Sequence, residues 1–402
     1  MEEWKTYTLA ELSKGKGSYG IAASAVPFNP TFHTYLRITD INDDGTLNKS
    51  GLMSVDENNA NEYLLEPNDI VFARTGNSTG RSYFYDGSDG ELVYAGFLIK
   101  FSLDEKKVNP RILKYYTHSK PYYDWVKLFD TGGTRGNINA KTYGDMPIIL
   151  PSRSNQDRIV EVLKSLDDKI EINRRINDNL EQQTQALFKS WFIDFEPFRD
   201  GVFVESELGM IPKGWRLIRF DSFITASSEK CGVGELPEYS VTNNGIIPRD
   251  SKFNKQLSKT TSKNKVLREN DLVFGMSREI LNWGIMEDKI GGVSSAYNVY
   301  TINQDLVPPT YLRLYMSAKI SYFNVLIGTA AREGQSLDKG ALMKKVVYIP
   351  PIVVYTEFMK IFSALTKQKD EVNKESGLLV NLRDSLLPKL MSGELKIGEM
   401  NV

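Results

Sequence analysis

The chain carries its own plan twice. The run YLLEPNDIVF from Tyr63 to Phe72 returns as KVLRENDLVF from Lys265 to Phe274, a shift of 202 residues in a chain of 402. The same shift carries Ile159, Leu163 and Ile170 onto Ile361, Leu365 and Val372, and Leu180 and Ser190 onto Leu382 and Ser392. A repeat of this size calls for two copies of one globular unit, and the length is sufficient for two cores. Between the anchors the copies diverge, with RTGNSTGR from Arg74 standing opposite MSREILNWG from Met276. The scaffold is shared and the surface is not.

Each copy opens on a part rich in Gly, aromatic and β-branched residues. In the first copy YLRITDI from Tyr35, DIVFAR from Asp69 and LVYAGFLIKFSL from Leu92 read as strands. RILKYYTHSKPYYDWV from Arg111 and TYLRLYMSAKISYFNVL from Thr310 have helical apolar spacing and fill equivalent places in the two copies. The expected fold class is therefore mixed α/β (α+β). Prolines close each globular part, in IILPSRSNQDR from Ile148 and VYIPPIVVYTE from Val347, and a polar helix follows. The expected organisation is a globular domain over 1–150, a helical region over 151–198, a second globular domain over 199–350 and a second helical region over 351–402.

In the first helix Ile159, Leu163, Leu166, Ile170, Asn173, Asn177, Leu180, Thr184 and Leu187 step by four and three, the period of a coiled-coil seam. In the second, Ile361, Leu365, Gln368, Val372, Glu375, Leu379, Leu382 and Leu386 answer them. A single amphipathic helix of this kind would simply pack on its own domain. Two matched ones, each following a copied domain, predict an intramolecular antiparallel coiled coil with pseudo-two-fold symmetry. About 36 residues of helix span on the order of 50 Å, comparable to one and a half turns of B-DNA, which suits a spacer.

Composition narrows the function. Cys231 is the only cysteine, so an internal disulfide and a CxxC zinc pair are excluded. His33 and His118 are the only histidines, which argues against a metal site and leaves both as expected structural residues. No stretch approaches a membrane span and the N-terminus does not read as an export leader, so a cytoplasmic location is expected. The net charge of −1 means that any affinity for nucleic acid must be local. Lys252, Lys255, Lys259, Lys263 and Lys265 supply such a locality, in a segment without Asp or Glu.

Three motifs point elsewhere and are weak. GKGSYG from Gly15 to Gly20 fits GxGxxG, with Asp40 at a suitable distance, but prolines follow where a helix should start. Asn29-Pro-Thr-Phe32 resembles the tetrad of adenine methyltransferases, with Thr at the third position and no counterpart in the second copy. Cys231 has no histidine near it in sequence to activate it, and is expected to be an unreactive loop thiol.

A duplicated globular domain followed each time by a heptad helix resembles the specificity subunit of Type I restriction-modification systems. The resemblance covers essentially the whole chain. Its more specific tokens are the phrase from Ile149 to Phe198 and the closing LRDSLLPKLMSGELKI from Leu382 to Ile397. PPIVVYTEF departs from the more usual proline-then-glutamine pattern seen around Pro151 and Gln156. The resemblance implies a non-catalytic subunit whose two target-recognition domains each read one half of a bipartite, asymmetric site in double-stranded DNA. It implies no cofactor in this chain. Two modification subunits, which bring S-adenosylmethionine and methylate adenine, and two restriction (motor-nuclease) subunits would be its partners, with no membrane involved.

Base edges are read by donors and acceptors, and phosphates by cations and backbone amides. In the first domain the candidate DNA-binding residues are Lys14, Lys16, Tyr19, Arg74, Thr75, Asn77, Thr79, Arg81, Thr134, Arg135 and Asn137, in loops that extend to Asn139. In the second they are Asn243, Asn244, Lys252, Lys255, Lys259, Lys263, Ser277, Arg278, Gln335 and Ser336. Any one of these loops is also readable as an ordinary polar turn, and the lysine run as a solvated loop or a generic phosphate contact. A scaffold holding proteins on the same two heads is the alternative function; salt-sensitive binding to duplex DNA separates the two.

Overall fold

A computed structural model describes residues 4–129, 136–232, 236–249, 261–277, 280–328 and 337–395. The chain divides into two compact units, Met1–Arg175 with Val372–Val402, and Ile176–Glu371. Each unit holds one β-rich globular part and a portion of both long helices.

The repeated sequence builds a repeated frame. In the first unit a four-stranded sheet runs, in spatial order, Ser18–Tyr19, Leu98–Ser102, Asp69–Ala73, Ser82–Tyr85, all neighbours antiparallel. In the second the order is Ile224–Ser227, Asn298–Ile302, Leu272–Phe274, Trp283–Ile285, again antiparallel throughout. Phe72 meets Phe101 edge to face at 6.1 Å, and Phe274 meets Tyr300 at 6.1 Å in the same manner. Asn68 and Asn270 both take a left-handed φ, +75° and +68°, which asparagine tolerates better than most residues. The following aspartate then accepts a backbone N–H, Glu66 N to Asp69 Oδ2 at 2.8 Å and Arg268 N to Asp271 Oδ2 at 2.9 Å. The shared Asn-Asp pair is a turn that delivers each central strand.

Around the first frame, His33–Leu36 pairs parallel with Leu92–Tyr94 and antiparallel with Met53–Val55. Two expected strands are interrupted. In YLRITDI the chain leaves the strand at Leu36 and turns through Ile38–Asp40, because the buried Asp40 carboxylate accepts from Arg37 N at 2.9 Å and pairs with its guanidinium at 2.7 Å. LVYAGFLIKFSL splits into Leu92–Tyr94 and Leu98–Ser102, with Leu98 N donating to Ala95 O across a tight turn. The helical segments also divide, into Pro110–Tyr116 and Lys120–Lys127, and into Pro309–Ala318 and Ile320–Asn324.

The long helices are Arg153–Phe192 and Ile352–Ser392. In the first unit Ile159, Val160 and Leu163 of the first helix share a core with Leu387, Leu390 and Met391 of the second and with the globular part. In the second unit Phe188 and Phe192 share a core with Phe358 and Phe362, and Lys369 Nζ meets Glu181 Oε2 at 2.6 Å. The start of each helix thus packs with the end of the other, which is an antiparallel pairing. Along the first helix the seam positions Leu166, Ile170, Leu187 and Asn177 are half-buried and Ile159, Leu163, Asn173, Leu180 and Thr184 are buried.

The second helix differs from expectation in phase. Its covered stripe runs Phe358, Phe362, Leu365, Lys369, Val372, Ser376, Leu379, Arg383, Leu386, Leu390. Leu365, Val372, Leu379 and Leu386 are shared with the expected seam, but Ile361 and Leu382 are 44% and 46% exposed. Apolar residues lie side by side here, Ile361 with Phe362, so the sequence fits two phases. The aromatic pair Phe358–Phe362, ring centroids 5.8 Å apart and stacked, offers more surface to bury against Phe188 and Phe192 and takes the seam.

Candidate nucleic-acid interface

In the first unit the three loops singled out in the sequence come together at one end of the frame. Tyr19 and Phe72 lie on either side of Ile99 in the sheet, and Arg74 follows that central strand. The Arg74 guanidinium lies over the Tyr19 ring, 5.0 Å from its centroid. The third loop is tied to both. Ile138 N donates to Arg74 O at 2.9 Å, Thr75 and Asn137 form an isolated antiparallel bridge, and Tyr19 Oη accepts from Ala140 N at 3.2 Å. Thr79 Oγ1 donates to Gly76 O at 2.7 Å and to Gly136 O at 3.1 Å. Asn139 fixes the loop's exit by accepting from Thr142 N at 2.9 Å, an N-cap on the short helix Ala140–Gly144.

Tyr19, Asn77 and Asn137 are exposed around this junction, and Thr75 and Thr79 are half-buried. Lys14 and Lys16 are exposed as well, but Lys14 N donates to Ser102 O at 2.8 Å, at the far end of the strand Leu98–Ser102 from Arg74. Arg81 is committed elsewhere, to Asp43 at 2.6 Å and to Ile41 O at 3.2 Å. Thr134 and Arg135 lie outside the described residues.

In the second unit Asn243 and Asn244 form the exposed tip of a hairpin, Tyr239–Thr242 with Gly245–Pro248, whose turn needs the left-handed φ of +89° at Gly245. Ser277 is buried and its Oγ accepts from Asn282 N at 2.9 Å, which makes it part of the loop's framework. Lys263 is exposed at the end of a short turn. Lys252, Lys255, Lys259, Arg278, Gln335 and Ser336 lie outside the described residues. Asp338 caps the helix Lys339–Lys344 by accepting from Ala341 N at 2.9 Å, the counterpart of Asn139.

The hairpin tip borders a cleft of about 870 Å³ that the sequence did not reveal, since its walls come from four separate segments. Trp283, Arg313 and Glu181 line it beside Asn243 and Asn244, and Arg313 pairs with Glu287 at 2.9 Å. On its wall Tyr239 Oη donates to Asp288 Oδ2 at 2.6 Å; burial first, and then that carboxylate, push the phenol up to about 12.

The weak motifs have structural settings. Gly15–Gly20 leads into the edge strand Ser18–Tyr19, where a dinucleotide loop would enter a helix. Thr31 N and Oγ1 both donate to Asn29 Oδ1, at 3.0 and 2.8 Å, a local turn. The half-buried Cys231 thiol is pushed up by burial and by Glu229 and Glu238. Burial lowers His118, whose Nδ1 lies 2.8 Å from Lys114 O. Among the described residues no group of three His, Cys, Asp or Glu is disposed to hold a metal, and no helix is long and apolar enough to cross a membrane.

The family model described as the Type I restriction modification DNA specificity domain matches residues 1–182. The Type I restriction enzyme MjaIX specificity subunit of Methanocaldococcus jannaschii is 26% identical over 300 residues, 72% of this chain and 69% of that one. Residues 1–182 thus match the Type I specificity domain, and over most of its length this chain is similar to the specificity subunits of Type I restriction-modification systems. The EcoKI specificity subunit of Escherichia coli is 22% identical over 392 residues, covering 87% of this chain and 80% of its own length. The HindI specificity subunit of Haemophilus influenzae is 28% identical over 209 residues, half of this chain and 43% of that subunit's length. The fold agrees with the crystal structure of the Type I system S subunit from M. genitalium, with a TM-score of 0.50 at 14% identity over 97% of this chain and 96% of that one. The specificity subunits are non-catalytic and carry no cofactor of their own.

Proposed function

We propose that this specificity subunit reads a bipartite, asymmetric site in double-stranded DNA, with residues 1–150 and 199–350 as target-recognition domains, one per half-site. The long helices, 40 and 41 residues and so about 60 Å each, set the spacing between the half-sites. Two modification subunits, carrying S-adenosylmethionine for adenine methylation, and two restriction subunits dock on the helical regions, and the assembly works in the cytoplasm.

One observation carries this reading. Two copies of the same four-stranded frame present, after the same central strand, loops of unrelated chemistry, RTGNSTGR in one and MSREILNWG in the other. A shared scaffold with divergent polar loops is what two different half-sites require. The loops of the first unit are also cross-linked to one another before any ligand arrives, which lowers the ordering cost of binding.

The test is methylation sequencing of cells that express a matching modification subunit with this chain, or with a chimera in which residues 1–150 are exchanged for those of a relative. A bipartite methyladenine motif is expected, and only one half of it should change in the chimera. Methylation that never depends on the chain, or a chimera that alters both halves, would overturn the proposal.

A further inference from the structure

The geometry points to Arg74 as a specificity-determining residue that reads a guanine in the half-site of the first domain, with Tyr19 as its positioning residue. The inference rests on the DNA-reading function proposed above and gives it a base.

The first globular part contains four arginines in its described stretch up to residue 129. Arg37 pairs with Asp40 at 2.7 Å, Arg81 with Asp43 at 2.6 Å and Arg111 with Asp86 at 2.9 Å. Arg74 differs from them. Among the described residues its guanidinium meets no acceptor, its Nε is buried without a hydrogen-bond partner, and its one side-chain contact of note is the face of Tyr19. Burying a donor without an acceptor is unfavourable, and among the described residues only the Tyr19 face favours an arginine here. A ligand with acceptors would satisfy the donor.

The kind of acceptor follows from how the side chain is held. Contact with the Tyr19 face restrains the guanidinium, and Tyr19 is itself anchored through Oη, which accepts from Ala140 N at 3.2 Å. A restrained planar fork suits two acceptors in one plane, which the major-groove edge of guanine offers as O6 and N7. Phosphate can take the same fork, but the exposed Lys14 and Lys16 on the loop that carries Tyr19 supply cations for it, which leaves the partly buried guanidinium to a base edge. The second copy changes both partners. The shift of 202 places Met276 in the slot of Arg74, and the corresponding edge strand, Ile224–Ser227, has no aromatic residue. That slot cannot read guanine through a guanidinium, as expected if the two domains read different bases.

The experiment uses the full chain assembled with its modification subunit, on the duplex whose motif methylation sequencing has defined. Each guanine of the first domain's half-site is replaced singly by 7-deazaguanine, which lacks the N7 acceptor, and equilibrium binding is measured. One replacement is expected to weaken the wild type roughly ten- to a hundredfold, the range of a bidentate base contact, and to cost Arg74→Met nothing further. Met is the residue of the equivalent slot and keeps a long unbranched side chain. Tyr19→Leu should erode discrimination at that same guanine and at no other position, while Tyr19→Phe retains most of it. An Arg74→Met loss that is equal on all sequences, with the salt slope falling by about one, would assign the residue to phosphate and overturn the inference. So would a wild type insensitive to 7-deazaguanine at every position, a measurement that needs no variant to fold. Loss of any chain-dependent motif would instead sink the parent proposal, and the two failures are thereby distinguished.

Discussion

Asp167 offers a sharp test of how the first globular part is fastened to the helices. Its carboxylate accepts from Lys114 Nζ at 2.7 Å, Tyr115 Oη at 3.0 Å and Arg383 Nη1 at 3.2 Å, so one side chain joins the helix Pro110–Tyr116 to both long helices. Side-chain exposures of 15% for Asp167, 27% for Lys114 and 24% for Arg383 put the cluster between surface and interior. Replacing Asp167 by Asn keeps the shape and leaves Lys114 without its carboxylate, while Arg383 retains Asp384 at 2.9 Å. Breaking a fully buried pair costs about 3–5 kcal/mol; with the partial exposure here about 2 kcal/mol is expected, a midpoint shift on the order of 1 M urea. Asp168, one residue on, pairs with Lys164 on an exposed helix face, and Asp168→Asn should cost less than about 0.5 kcal/mol. Because the chain has two units, the readout should be local: hydrogen exchange of residues 110–127 and 160–175 across a urea series. Burial works to raise the Asp167 pKa, but Lys114 and Arg383 outweigh it and hold the group below its ordinary value. Its contribution is therefore complete above the unfolded pKa of about 3.9 and is lost as pH falls through the lower folded value. An Asp167→Asn variant no less stable than Asp168→Asn, or a gap between them undiminished in strong acid, would refute the reasoning.

Two further outcomes follow from the same geometry. Phe72 is fully buried and stacked on Tyr143 at 4.7 Å, so Phe72→Ala should cost about 3–5 kcal/mol, read as a lower thermal midpoint with exchange accelerated in the first unit. Tyr239, pushed up to about 12 by burial and by Asp288, should titrate nearer 10 in Asp288→Asn when followed by tyrosinate absorbance. Since its folded value is the raised one, its contribution to stability is present below pH 10 and disappears between about 10 and 12.

Much of the frame was legible because the forces that set it act over short stretches of chain. An asparagine that tolerates positive φ, followed by an aspartate that caps the same turn, writes Asn68-Asp69 and Asn270-Asp271 in four letters. The seam of the first helix was legible at Leu166, Ile170 and Leu180, which polar residues flank on either side, while Val160 beside Ile159 and Phe188 beside Leu187 are buried with it. In the second helix Ile361 and Phe362 compete for one stripe, and a binary pattern cannot rank them.

The repeat, the mixed α/β class with two long helices and the resemblance to Type I specificity subunits could be read from the chain alone, because these rest on local pattern and on repetition at a fixed shift. Which polar residues stand together depends on how distant segments fold onto one another. Tyr19, Arg74 and Ala140 are far apart in the chain and meet because strand pairing brings their segments to one end of a sheet. Arg81 and Arg74 are alike as letters, but Asp43 folds back onto one and, among the described residues, an aromatic face lies against the other, and such pairing depends on distances that spacing along a chain does not encode.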